Sequence, residues 1–212
     1  MKVAVYGESP ADEAALRILV DALIGTPTEH IGFPWLKSRG WPSILQNLPK
    51  VVQHLHYQTD AQGLVVVVDS DKSELPPQPL RKLGDNDDRS RICRLERELC
   101  LVRTRLAAVP QRSEMKMAIG SAVPTIEAWY RCGLDAHVNE AAWIRALESN
   151  EYTYDASRLK RDVYGTDRPS LELATEVAVR QAQRLVDEGR LGLLEQLFPI
   201  GFGSLADVIR SW

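Results

Sequence analysis

Apolar residues recur along the chain at two spacings, and the change from one to the other marks its elements. Lys2 to Tyr6 is a short apolar run stopped by Gly7, which predicts a buried strand. Ser9 then offers an N-cap, Pro10 the first helical position, and Asp12 and Glu13 first-turn acids. Ala15, Leu16, Leu19, Val20 and Leu23 follow at helical spacing until Gly25 closes the helix. A second short strand is expected over 30–33. A helix over 43–57 carries Ile44, Leu48, Val51, Val52 and Leu55 on one face, with Pro49 near its first turn. Leu64 to Val68 is unbroken aliphatic sequence ending at Asp69, the pattern of a central parallel strand buried on both faces.

The remaining elements follow the same two spacings. The Pro-rich and charged stretch from Glu74 to Asp88 reads as a loop. A helix over 88–108 shows Ile92, Leu95, Leu99, Val102 and Leu106 on one stripe, and 115–119 reads as another strand. From Val123 onward only helices are expected: around 126–131, after Asn139, over about 170–188, and two short ones near the end. The fold class is therefore α/β, a mostly parallel sheet flanked by helices with a helical C-terminal part. We divide it into a sheet region, 1–135, and a helical extension, 136–212, packed on it. Open sheets of this kind bind ligands at the carboxyl ends of their strands.

Composition narrows the classes. Of 212 residues 44% are hydrophobic and 26% charged, with a net charge of -3, which excludes general disorder and argues against coating nucleic acid through bulk charge. No apolar run approaches the ~20 residues of a spanning helix, and the start lacks a signal peptide's basic-then-apolar order. Cys93, Cys100 and Cys132 have no C-x-x-C arrangement, so reduced thiols in a cytoplasmic protein are expected. The net charge conceals an uneven distribution. Arg81 to Arg112 holds nine Lys/Arg against five Asp/Glu. Arg89, Arg91, Arg94, Arg97 and Arg105 spread over the helix side opposite its apolar stripe, either as a solvated face or as a phosphate-contacting surface.

Acids stand where the crevice would be. Glu8 follows the first strand, Asp69 and Asp71 flank Ser70 at the end of the aliphatic strand, and Glu127 opens a helix after the last strand. Two residues apart in extended chain, Asp69 and Asp71 would point to the same side. With Glu8 they make three hard oxygen ligands, suited to Mg²⁺ or Mn²⁺, and Asp12 lies one helical turn beyond Glu8. Each acid also has a plain structural reading. Asp12 would complete a Ser9-x-x-Asp12 capping box, Asp69 would cap a turn, and Glu8 and Glu127 would be helix N-terminal charges.

Glu8…Asp12 followed by Leu64-Val-Val-Val-Val-Asp69-Ser-Asp71 resembles the TOPRIM domain of topoisomerases, bacterial primases and OLD-type nucleases, a Rossmann-like α/β fold. The spacing Glu8-Ser-Pro-Ala-Asp12 is similar to the E-G-x-x-D form of OLD-type members, with Ser9 standing where that family has Gly. Thr125-Ile-Glu127-Ala-Trp129 resembles the E-A-W helix of a small TOPRIM family often encoded beside an ATPase, and Leu197-Phe-Pro199 is loosely similar to it too. The resemblance implies a metal-dependent nuclease acting on DNA or RNA, in a bacterial anti-phage defence or toxin-like system. By that implication Glu8, Asp69 and Asp71 are catalytic and hold one Mg²⁺ or Mn²⁺, Asp12 and Glu127 contribute to a second ion or orient its waters, and Arg89, Arg91, Arg94 and Arg97 contact nucleic acid. A separate ATPase is the implied partner, no membrane is involved, and a homo-oligomer is compatible.

Other conspicuous residues have plain structural readings. His54 and His56 point apart on a helix and lack further ligands, and Trp129 and Trp143 read as core. Trp35 and Trp41 read as local packing before a base-stacking surface. No P-loop, dinucleotide glycine pattern or nucleophile elbow is present. Two other classes fit the acids: a non-catalytic TOPRIM-like binding or regulatory subunit, for which Ser9 speaks, and an Asp-x-Asp phosphotransferase or phosphatase, against which the Glu after the first strand speaks.

Overall fold

The computed structural model describes residues 1–36, 40–75 and 89–212. Most of the loop expected over Glu74 to Asp88, and with it the first part of the Arg81 to Arg112 stretch, lies outside the described residues. Four strands, β1 (Lys2–Tyr6), β2 (Glu29–Ile31), β3 (Gly63–Asp69) and β4 (Lys116–Ala122), form an all-parallel sheet in the order β2-β1-β3-β4. The α/β class with a helical C-terminal part is thus what the chain adopts.

Period-two alternation assigns the strand residues to two cores. Val3, Val5, Val65 and Val67 face one side, and Ala4, Tyr6, Leu64, Val66 and Val68 the other. The second side is covered by α2 (Trp41–Gln58) and α3 (Arg91–Arg103). The first is covered by α1 (Pro10–Ile24) together with helices from the far end of the chain. Those are α7 (Leu171–Asp187) and α9 (Ser204–Arg210), joined by α8 (Leu191–Leu197) and a π-helical turn (Pro199–Gly203). Between sheet and α7 come α4 (Ile126–Tyr130), α5 (Glu140–Ser149) and α6 (Ala156–Tyr164).

Local chemistry accounts for most boundaries. Ser9, Ser90, Asn139, Asp155 and Ser170 each accept an N–H three residues on, and Gly25 and Gly165 end their helices at positive φ. The helix expected over 88–108 is shorter, because Ser90 caps it and it ends at Thr104, whose hydroxyl turns back to the Leu101 carbonyl. The strand expected over 115–119 runs on to Ala122 in register with Asp69. α6 had no counterpart in the sequence reading. Among the described residues no single helix is long and apolar enough to cross a membrane.

One buried acid fastens the C-terminal helices to the sheet. Glu140, 1% exposed in the first turn of α5, accepts the N–H groups of Ile200 at 2.7 Å and Gly201 at 2.8 Å. Burial pushes its carboxyl up to about 7, against those two donors and an ordinary value of 4.5. The folded state therefore keeps this proton over a range in which the unfolded chain has lost it. Its contribution is complete below pH 4.5 and fades as pH rises through 7, by at most about 3 kcal/mol. Melting temperature is expected to fall between pH 5 and 8, and Glu140→Gln to flatten that slope at the cost of about one hydrogen bond. A slope as steep in the variant as in the parent would remove Glu140 as its source.

Candidate functional site

The chain leaves β1 toward β2 and comes back to the other side of β1 as β3. This reversal opens a crevice beyond the carboxyl ends of β1 and β3, the place where open sheets bind ligands. Glu8 follows β1 across Gly7 and Asp69 ends β3, so topology alone puts the two acids on its lips. The Glu8 carboxylate spans the gap: Oε1 accepts the Asp69 N–H at 2.9 Å, and Oε2 accepts the Trp41 N–H at 3.0 Å. Trp41 begins α2, an 18-residue helix whose N-terminus favours an anion. Gly40 makes the approach at φ +86 and donates its own N–H to the Glu8 carbonyl. Burial nonetheless raises the Glu8 pKa, opposed by the Asp69 N–H and the charge of Arg91.

Behind Glu8 lie three further carboxylates. Asp12 donates its N–H to Ser9 Oγ at 3.1 Å and accepts from Ser9 in return, so the capping box is formed. The same carboxyl, pushed up to about 7 by burial and by the charges of Glu127 and Glu8, belongs to the acid group as well. Asp69 Oδ1 accepts the Ile126 N–H at 3.0 Å and so caps α4, whose own N-cap Thr125 makes no side-chain bond. Burial and the charges of Asp12, Glu127, Glu8 and Asp71 hold the Asp69 carboxyl well above the carboxylate range. Glu127, 5% exposed, accepts from the Tyr164 hydroxyl, while its Oε2 has no hydrogen-bond partner. The buried Tyr130 hydroxyl is unpartnered too, and burial followed by the Asp12 charge keeps it protonated.

Asp71 departs from the extended-chain picture. β3 stops at Asp69, and Asp71 takes a left-handed turn at φ +47. Its N–H donates to the Pro124 carbonyl at 2.9 Å, and its carbonyl accepts Trp143 Nε1 at 3.2 Å, which holds that conformation. Asp69 and Asp71 are connected instead through Arg91. Arg91 Nη1 donates to the Asp69 carbonyl at 2.7 Å and Nη2 to Asp71 Oδ2 at 2.6 Å, and Nη1 stands 3.7 Å from Glu8 Oε1.

The structure separates the arginines that the sequence had grouped. Arg91 is turned into the acids and lies over the Trp41 ring at 5.3 Å; Arg94 lies over the same ring at 5.4 Å. Arg89 pairs with Glu74 at 2.9 Å, and Arg97 lies further along α3. Arg112 donates to the Leu55 and Ala61 carbonyls and fastens the end of α2. Trp41 thus belongs to the crevice, whereas Trp35 packs on Phe33 and His54. Trp129 is fully buried against Phe202. Trp41, which the sequence suggests as local packing, instead carries Arg91 on its ring; its place at the N1 position of an amphipathic helix after Gly40 was the available signal.

A divalent cation suits this site by donor chemistry: hard carboxylate oxygens, negative charge in excess, and an orphaned buried oxygen on Glu127. As the side chains stand, they are drawn to backbone donors and Arg91. Among the described residues, no three carboxylate, His or Cys groups converge on one ion position. No protein-family model, curated protein or solved structure matches the chain.

Proposed function

We propose that the chain is a Mg²⁺- or Mn²⁺-dependent nuclease that hydrolyses phosphodiester bonds in DNA or RNA. The observation that carries this reading is the unpartnered Oε2 of buried Glu127, set among Asp12 and Asp69, whose main electrostatic neighbours are other carboxylates. Buried negative charge of this density is costly unless a cation offsets it. Asp12, Asp69 and Glu127 would hold the ion, with Glu8 and Asp71 at the mouth. When bound, such an ion would supply Lewis acidity toward a phosphate oxygen and toward water. The chain's own part is orientation. Glu8, fixed by two backbone N–H groups, keeps β1 and β3 in register at the crevice, and Arg91 and Arg94 on the two contacts of Trp41 present guanidinium groups to a phosphate.

The resemblance to TOPRIM proteins extends the proposal to a defence or toxin-like setting in the cytoplasm, alongside a separate ATPase that would supply the P-loop this sequence lacks. Free Cys93, Cys100 and Cys132 accord with reducing conditions. A second reading has its own support: Glu8 and Asp69 already serve as backbone acceptors, as expected of a non-catalytic binding or regulatory subunit. Incubation with plasmid and with RNA, in Mg²⁺, Mn²⁺ or chelator, separates the two. Metal-dependent cutting that disappears in the Asp69→Ala/Asp71→Ala variant is expected. Intact substrate under every condition, with and without an ATP-hydrolysing partner, would leave the non-catalytic reading standing.

A further inference from the structure

We infer that the crevice mouth takes single-stranded nucleic acid, with one unpaired base seated in a cavity beside Asp71 and Lys72. The inference deepens the nuclease reading, on which it rests for the ligand being a nucleic acid, by naming the form of the substrate. Cations and aromatic rings alternate across the mouth. The guanidinium groups of Arg94 and Arg91 lie over the Trp41 ring at 5.4 and 5.3 Å, and Arg91 Nη2 reaches Asp71 Oδ2 at 2.6 Å. Next in the chain, Lys72 Nζ stands over the Tyr152 ring at 5.0 Å. Tyr152, in the loop between α5 and α6, lies 5.1 Å from the Trp143 ring, and Trp143 Nε1 donates to the Asp71 carbonyl. Trp41 and Tyr152 are half-buried and Lys72 is exposed, so the outer members of this row face solvent. A cationic track with interleaved rings is the surface on which unpaired bases stack, and guanidinium planes serve the same end.

The cavity is lined by Asp71, Lys72, Pro124, Trp143 and Asp155, together with the first residues of α6, and has a volume of about 180 Å³. Pockets that enclose drug-sized ligands measure ~300–1,000 Å³, so this one suits a single planar base. Its polar groups match a base better than a phosphate. Asp71 Oδ2 accepts from Arg91, and Asp155 Oδ1 accepts the Arg158 N–H and so caps α6. Among the described residues the second oxygen of each carboxylate has no such bond. Carboxylates accept from the amino groups of bases and repel phosphate. The phosphates of the same strand fall instead to Lys72 and to the donors of Arg91 and Arg94 not spent on Asp69 and Asp71. In a duplex the bases are stacked inside the helix, out of reach of rings and cavity alike, so a duplex would meet only the cations.

Binding in chelator tests this without cleavage. Short labelled oligonucleotides, as DNA and as RNA, are followed by fluorescence anisotropy: a mixed-sequence strand alone, the same strand annealed to its complement, and homopolymers of cytidine and of thymidine or uridine. The single strand is expected to bind at least about tenfold more tightly than the duplex. Cytidine strands, which bring the amino group, should bind about fivefold more tightly than thymidine or uridine strands. Asp155→Asn, which still caps α6, should shrink that preference. Lys72→Gln should weaken every single strand and lower the salt slope by about 0.7, and Trp41→Ala should cost about fivefold or more. A duplex bound as tightly as the single strand, no binding, or unchanged affinity in both folded variants would overturn the inference. Equal binding of the homopolymers would take the base out of the cavity. None of these results touches metal-dependent cutting, which the plasmid and RNA incubations judge separately. Strand binding as expected, with plasmid and RNA left intact in every metal, would instead remove the nuclease reading and leave this binding site standing. Lys72 is exposed, so its variant decides the matter where Trp41→Ala fails to fold by circular dichroism.

Discussion

Under the proposed nuclease reading, Asp69→Asn is expected to move activity and stability in opposite directions: cleavage falls by about 100-fold or more, while the protein in chelator melts higher at pH 8. The activity loss follows from removing the carboxylate that the other acids surround. An interior ligand should matter at least as much as the outer partners that typically cost up to roughly 100-fold. The stability gain follows from electrostatics. Asp69 shares the crevice with four like charges, and burial holds its carboxyl well above the carboxylate range. An amide of the same shape removes that repulsion, and its Oδ1 still accepts the Ile126 N–H. The sign depends on pH. A raised folded pKa means stability is lost as pH rises, so the advantage of Asn should be largest at pH 8 and shrink toward pH 5. Each kcal/mol gained reads as about 2–4 °C in a chain of this size. Initial rates on plasmid with Mn²⁺, and melting in chelator at both pH values, check the two halves. A variant destabilised equally at both would show that Asp69 is chiefly the cap of α4.

Gly201→Ala is expected to be the most destabilising alanine substitution among the described glycines. A Cβ there would lie 2.2 Å from the Ser121 carbonyl oxygen and 3.2 Å from Glu140 Oε1. Ser121 cannot retreat, because β4 is paired with β3 at Val68. The π-helical turn must lift instead, which breaks the Glu140 bonds to Ile200 and Gly201 and moves Phe202 from its edge contact with Trp129. A loss of about 4 kcal/mol or more is expected, since overpacking combines with a stranded buried carboxylate. Gly192→Ala is the control: nothing lies within 4 Å of its added Cβ, and in α8 it should be neutral or mildly stabilising. Urea unfolding of both proteins decides it. Similar midpoints would mean that the turn re-seats without Glu140.

Local signals were legible and long-range ones were not. Val65 and Val67 face one core while Leu64, Val66 and Val68 face the other, which is why an unbroken aliphatic run correctly indicated a strand buried on both sides. Ser9, Asn139 and Ser170 announced their helices because a cap acts within four residues. α6 escaped because its nine residues bury only Leu159 and Tyr164, too few to display a period, although Asp155 and Gly165 mark its ends. Glu8, Asp12, Asp69 and Glu127 were legible as acids at strand ends. Their placement at the reversal between β1 and β3 was not, since strand order is a tertiary property. Arg91 looked like its neighbours in a basic helix. Only its position immediately after the Ser90 cap, at the crevice end of α3, turns it inward.

The two faces of the sheet are also finished at different times. Once β4 has been synthesised, α2, α3 and all four strands exist, and the layer around Leu48, Leu55 and Val66 has every partner it needs. α1 waits longer: its inner side chains Leu16, Leu19 and Leu23 meet α7 and α9, which follow all four strands in the sequence. A nascent chain therefore passes through a stage in which half the sheet is sealed and the other half is an open apolar face. During that interval the crevice acids are already in sequence, but the Tyr164 hydroxyl that Glu127 uses is still unmade. The acid site is thus completed only after all four strands have been made, and the open face of the sheet closes later still.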